Sequence, residues 1–477
     1  MPKTLIRLVA LLGALLLTLT ACRSDDGDST AETTDDAAGA EVAEEAATDE
    51  AEEEAEPTEA TDAADEPTEA TEPAEEPAAG GDVTTDIGVT EEACPDAVNP
   101  DNGCIYLASL SDLTVGPFAS QGPQIVEAVN AFWQRVNDEG GIAGYDVNTT
   151  EFTRDHQYSP ETVTQVYQEI SDEILAITHL LGSPMGIALE PFLEEQDVLA
   201  APGTWTSEWL FSPNILESGS TYCIDAMNAV DYALEEGAQL ERVMAIHFPG
   251  DFGDDGAAGM QAAAEANGIE FIDVPTTPGA DNQAEALSRL VNEAPDMVLI
   301  VTGPTELATI VGGAVSQGYE GEIYAQAPGF NEGLLESPVA DVVSDRVVFG
   351  LPWGTLASDA PGTQAFLEAM GDQASTTAFP GWVWSYPLHD AMVAAAESGD
   401  LTRAGLVAAA QGLDSVDYEG ILPEGSGNVS GEPNDAAVRT TTFAQLDGDA
   451  EFRVAELANG YEGPTATDYD FQSACYS

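Results

Sequence analysis

The side chains that could make or break bonds are few and scattered. The 477-residue chain holds four histidines, His156, His179, His247 and His389, and no two share a metal-ligand spacing. His247 falls inside the apolar run 243–248, where a histidine serves packing. No Gly-x-Ser-x-Gly nucleophile elbow occurs. Lys3 is the only lysine, so P-loop phosphate binding and Schiff-base chemistry are excluded from the rest of the chain. Acids number 87 against 11 lysines and arginines, a formal charge of −76. Such a surface offers no cationic patch to neutralise phosphates, which excludes nucleic-acid binding and disfavours a strongly anionic substrate. It suits high salt, where screening weakens self-repulsion. The balance points to binding rather than catalysis, with no cofactor and no metal.

The five cysteines divide into one and four. Cys22 closes a leader in which Lys3 and Arg7 precede the apolar run 8–19, about half the length that spans a bilayer. Leu19-Thr20-Ala21-Cys22 resembles the bacterial lipobox, whose cysteine becomes the lipid-modified first residue of the mature protein. A residue carrying more than one acyl chain anchors stably. Residues 23–92 are nearly all Ala, Glu, Asp, Thr and Pro, with the repeat EPTEAT at 56–61 and 66–71. That stretch lacks the apolar side chains to offset the entropy of folding and reads as a disordered, extended acidic tether. The other four cysteines, Cys94, Cys104, Cys223 and Cys475, lie in a chain read as exported, where disulfides form. Three pairings are open. Proximity in sequence favours Cys94 with Cys104, which leaves Cys223 with Cys475.

Residues 93–477 alternate strand and helix. Strands are expected at 105–109, near Leu180, at 198–201, and then at 243–248, 269–274, 297–302, 322–326 and 347–351. Between them lie amphipathic helices. Ile125, Ala128, Val129, Phe132 and Val136 form one apolar stripe that stops at Gly140-Gly141. Ser159-Pro160 supplies an N-cap and a first-turn proline. About 385 residues are too many for one core. The pattern predicts an α/β protein of two doubly wound parallel-sheet lobes, with a ligand cleft between them at the carboxyl ends of the strands.

The opening of this region, IYLASLSDLTVGPFASQGPQIVEAVNAFWQRVNDEGGIAGYDVNTTEFTRDHQYSPETV, resembles the type I periplasmic-binding proteins, in the leucine/isoleucine/valine-binding branch. The resemblance rests on Gly116-Pro117, Asn137, Gly140-Gly141-Ile142, Gly144 and Asp155, on the later GSPMGIALEPFLEEQDVLAAPGT, and on DFGDDGAAGMQAAAEANGIEFI. It implies two lobes that close on a small molecule and hand it to an ATP-driven (ABC) importer permease. It places lobe 1 at 93–236 and 352–445 and lobe 2 at 237–351 and 446–477. The implied protein is a monomer held by Cys22 on the outer side of the membrane. A ligand sensor with a signalling partner is the alternative on the same fold.

Carried over position by position, the family's ligand-carboxylate loops fall on Ser183 and Met185, then on Thr204, Trp205 and Thr206. The aromatic of its Tyr-Gly turn becomes Phe252. The acid that pairs a ligand ammonium falls near Ala327, and a buried ammonium needs a carboxylate. Asp251 and Glu306 are the acids nearest that role. A standard α-amino acid is therefore not the expected ligand. Trp205, Phe252, Trp353 and Tyr324 suggest an apolar or aromatic wall, with Gln326 and Asn331 to bond a neutral polar head. The ligand class implied is a branched-chain amino acid-like molecule, an amide or an aromatic. Trp209, Trp382 and Trp384 are read as packing residues, and Phe330 as hinge or core.

Overall fold

The computed structural model describes residues 83–250 and 252–477. Cys22, the leader and residues 23–82 of the expected tether lie outside the described residues, as does Asp251.

Two sheets organise the chain. In the first, Gly103–Ser111 pairs in parallel with Tyr145–Asp155 on one side and Ala176–Leu181 on the other, and Ala200–Gly203 extends the sheet. All six residues of Ala176–Leu181 are buried, as a strand covered on both faces requires. The helix Gly122–Asp138 lies on this sheet with Ile125, Ala128, Val129, Phe132 and Val136 inward, the stripe read from sequence. Ser159 caps the helix Pro160–Ile170 by accepting from the Thr162 N–H at 3.2 Å.

The second sheet has seven strands, in the order Val454–Tyr461, Thr441–Leu446, Val347–Leu351, Glu322–Gln326, Met297–Val301, Arg242–His247 and Glu270–Pro275. The last five are parallel to one another; the first two join antiparallel. Strand residues Ile246, Ile300 and Phe349 share a core with Leu307 and Val311 of the helix Pro304–Ser316.

Three boundaries differ from expectation. The short strands Thr84–Thr85 and Val89–Thr90 fall inside the span assigned to the tether. The first pairs with Asp400–Leu401, and the second pairs with Gly103–Ser111. A two-residue strand made by its partner leaves no apolar signature. The helix Tyr222–Glu235 packs on Phe252–Asn267 and on the second sheet, so the chain crosses between lobes before residue 222, not near Gly237. Thr441–Leu446, expected in lobe 1, belongs to the second sheet. After Leu351, the helix Pro361–Met370 packs on Gly122–Asp138. Both disulfides form, Cys94–Cys104 and Cys223–Cys475. The second ties the C-terminal tail to the start of helix Tyr222–Glu235.

Candidate ligand-binding cleft

Two turns of the first lobe open the site. Strand Ala176–Leu181 ends at Gly182, which has φ +100° and precedes the helix Ser183–Glu195. A Cβ there would lie 2.2 Å from Met185 Cε and 2.7 Å from Tyr158 Cε2, so the turn needs glycine. Strand Ala200–Gly203 delivers Thr204 and Trp205 beside it. Asp112 positions a third turn by accepting from the N–H groups of Gly116 and Phe118, each at 2.9 Å.

These turns meet the second lobe around a cavity of about 720 Å³ of empty space, its mouth included. From the first lobe come Phe118, Gln121, Tyr158, Thr204, Trp205 and Trp384. Tyr222, Phe252, Ala327, Pro328 and Phe330 face them, and Pro352 and Trp353 close the hinge side. The aromatic rings form a connected wall. Trp205 meets Trp353 edge-on at 5.0 Å and Tyr222 at 5.8 Å, and Phe118 reaches Phe252 across the cleft at 6.0 Å. Among the described residues, none of the cavity's walls carries an ionisable acid, lysine, arginine or histidine.

Two bonds bridge the lobes at this cavity. Gln121 Nε2 donates to the Phe330 carbonyl at 2.8 Å, and the Thr376 N–H donates to Glu332 Oε1 at 2.7 Å. Burial raises the Glu332 pKa, while the Thr376 bonds oppose that rise. Behind the wall, Asp255 holds the crossover by accepting from Ser207 and from the Cys223 N–H. Its full burial pushes its pKa up to about 7.

Of the residues singled out in sequence, Thr204, Trp205, Phe252 and Trp353 line the cavity. The others lie off its wall. Ser183 opens the helix behind Gly182, with its hydroxyl buried. Met185 packs in the first-lobe core, and Thr206 is buried beyond Trp205. Gln326 donates to the Tyr222 carbonyl at 2.6 Å, which ties strand to helix. Asn331 caps the turn Glu332–Glu336 through the Gly333 N–H. Tyr324 packs against Phe443, inside the core. Glu306 is committed to the Gly279 N–H at 2.6 Å, and Asp155 to the Leu113 and Gln157 N–H groups, each at 3.0 Å.

Phe118, Gln121, Tyr158 and Tyr222, not expected from sequence, also line the cavity, as does Trp384. Phe118 directly follows Gly116-Pro117, and Tyr158 lies just before the Ser159 cap, so both had a local signal. Trp384 had none. Trp384, expected as packing, and Phe330, expected as hinge or core, both line the cavity.

The comparisons agree with this geometry. Residues 105–451 match the family model described as periplasmic binding protein. None of the curated proteins matches the chain. Among solved structures, the fatty acid ABC transporter substrate-binding protein from Thermomonospora curvata is 26% identical. Its TM-score is 0.73, and the match covers 81% of this chain and 97% of that one. A branched-chain amino acid ABC transporter structure from Thermus thermophilus with bound valine is 16% identical, with TM-score 0.66, over 76% of this chain and 98% of that one. A solute-binding protein from R. palustris in complex with 4-hydroxybenzoate is also 16% identical, with TM-score 0.62, over 76% and 97%. With more than half of its length matched and both lobes in place, the chain belongs to the periplasmic binding protein family.

Proposed function

We propose that this protein is the solute-capturing component of an ABC importer. Its ligand is a small, largely apolar molecule, aliphatic or aromatic, with at most one polar head. The observation that carries this reading is a wall of aromatic rings without a carboxylate to pair an ammonium group. Burying an ammonium unpaired would cost more than the apolar contacts return. The T. curvata relative, described as a fatty acid binder, supports the same class. Capture proceeds by closure of the two lobes, with Gln121 and Glu332 bridging them. Cys22 anchors the receptor by lipid on the outer face of the membrane, and the acidic stretch after it spaces a monomeric domain from its permease.

The test is a thermal-shift panel on the full chain with octanoate, decanoate, 4-hydroxybenzoate, leucine and valine. At a hundredfold excess over Kd, a ligand that binds only the native state adds about 2.7 kcal/mol, enough to raise Tm by a few degrees. Shifts with the fatty or aromatic acids and none with the amino acids are expected. A saturable shift with leucine or valine alone would overturn the reading.

A further inference from the structure

Six tryptophans are present, and four spend their indole N–H inside the protein. Trp133 donates to Thr178, Trp205 to the Ser218 carbonyl, Trp209 to Thr204 and Trp382 to Tyr386, at 2.7, 2.7, 2.9 and 3.1 Å. Trp384 does not. It is 1% exposed, its Nε1 is buried without a partner among the described residues, and it lines the cleft cavity. A buried donor left unmet is uncommon and costs stability. Its neighbours explain why it stays unmet. One face stacks on His179 at 5.2 Å with the planes 7° apart, and Trp205 leans against it at 5.6 Å. Neither ring meets the N–H: His179 Nδ1 is also unmet, but parallel stacked rings present faces rather than in-plane nitrogens to each other, and Trp205 has only a donor. The packing fixes the Trp384 ring on the cavity wall, with its N–H buried and unmet. Thr204, adjacent to Trp205, accepts from Trp209, so its own O–H is still available to give.

We infer that Trp384 Nε1–H, with the Thr204 hydroxyl beside it, receives a carbonyl-type oxygen of the ligand and so fixes which end of an apolar molecule enters first. This rests on the apolar-ligand reading and deepens it. The ligand is an acyl compound, a carboxylic acid or its neutral amide, rather than a hydrocarbon or an amine. No carboxylate lines the cavity, so an ammonium group would go unpaired there.

The experiment compares the full-length wild type with Trp384→Phe, which keeps a smaller aromatic ring in place of the indole and removes the N–H. Octanoate, octanamide and butylbenzene are the probes, followed by titration and by the indole N–H signals of the protein. The signal lost in W384F identifies Trp384. Octanoate and octanamide should shift that signal in the wild type, and the substitution should weaken both by 3- to 10-fold, the range for one hydrogen bond. Butylbenzene should bind both proteins within twofold. Weakening of octanoate but not octanamide would identify the acid as the ligand form, and the converse the neutral acyl form; either supports the inference. Equal binding of both acyl probes to the two proteins, with an unmoved Trp384 signal, would overturn the inference and leave the apolar reading intact. No binding of any probe to the wild type would overturn both. If W384F fails to fold, the wild-type signal alone decides.

Discussion

At the scale of single residues, buried titratable groups pull stability in opposite directions with pH. Asp225 and Asp255 are fully buried and raised to about 7, and burial beside them pushes Glu217 well above its ordinary value. Each favours the protonated form in the folded state. The stability they permit is full near pH 4 and is lost as pH rises through about 7. His156 and His179 are depressed to about 4 and about 3 by burial. They favour the neutral form, so their contribution is full above 6.5 and is lost as pH falls toward those values. Asp225 allows a clean test, since Oδ1 accepts from Ser220 at 2.5 Å and Thr441 at 2.6 Å while Oδ2 has no partner. The Asp225→Asn variant should be less stable than wild type at pH 5, and the gap should narrow or reverse by pH 8, as read by urea unfolding at both values. A gap that stays constant with pH would show that Asp225 does not titrate in this range.

At the scale of elements, caps and crosslinks set what the sequence must supply. Ser159→Ala removes the acceptor for Thr162 N–H and should cost about 1 kcal/mol in unfolding free energy, without changing ligand affinity. Cys223→Ser with Cys475→Ser opens a loop whose ends are 252 residues apart. It should lower stability by about 2–5 kcal/mol, measured by denaturant under oxidising conditions. Elements with their own periodicity were legible: the strands of both lobes, the helix face Ile125 to Val136 and the Ser159 cap all follow local patterns. What was not legible depends on partners distant in the chain. Thr84–Thr85 is a strand only because residues 400–401 lie beside it. The helix Tyr222–Glu235 shows an apolar face but not which lobe covers it. Trp382 and Trp384 are two positions apart at the end of one short helix, and only the packed fold decides which faces the cavity. Gln326 and Asn331 had suitable chemistry for a ligand, and the fold spends both on its own backbone.

At the scale of the whole molecule, two effects govern behaviour: charge and closure. A chain with a formal charge of −76 repels itself, and salt screens that repulsion over roughly 8–10 Å at physiological strength and less above it. Tm should therefore rise between 0.1 and 2 M KCl, and a falling Tm would contradict a charge-limited fold. Closure draws on the Gln121–Phe330 bond between the lobes. Gln121→Ala should weaken ligand binding by about 2- to 10-fold, the range for one hydrogen bond, while leaving the unliganded melting point within a degree or two. Small-angle scattering would show its liganded form expanding toward the open one.

The central claim is that an uncharged aromatic cleft selects an apolar acyl ligand over an amino acid. Isothermal titration of the full chain with octanoate and with leucine, side by side at several temperatures, tests it most directly. Saturable heat with octanoate and a negative heat-capacity change, the mark of buried apolar surface, is the expected result, with no binding of leucine. Tight leucine binding with no response to octanoate would contradict it.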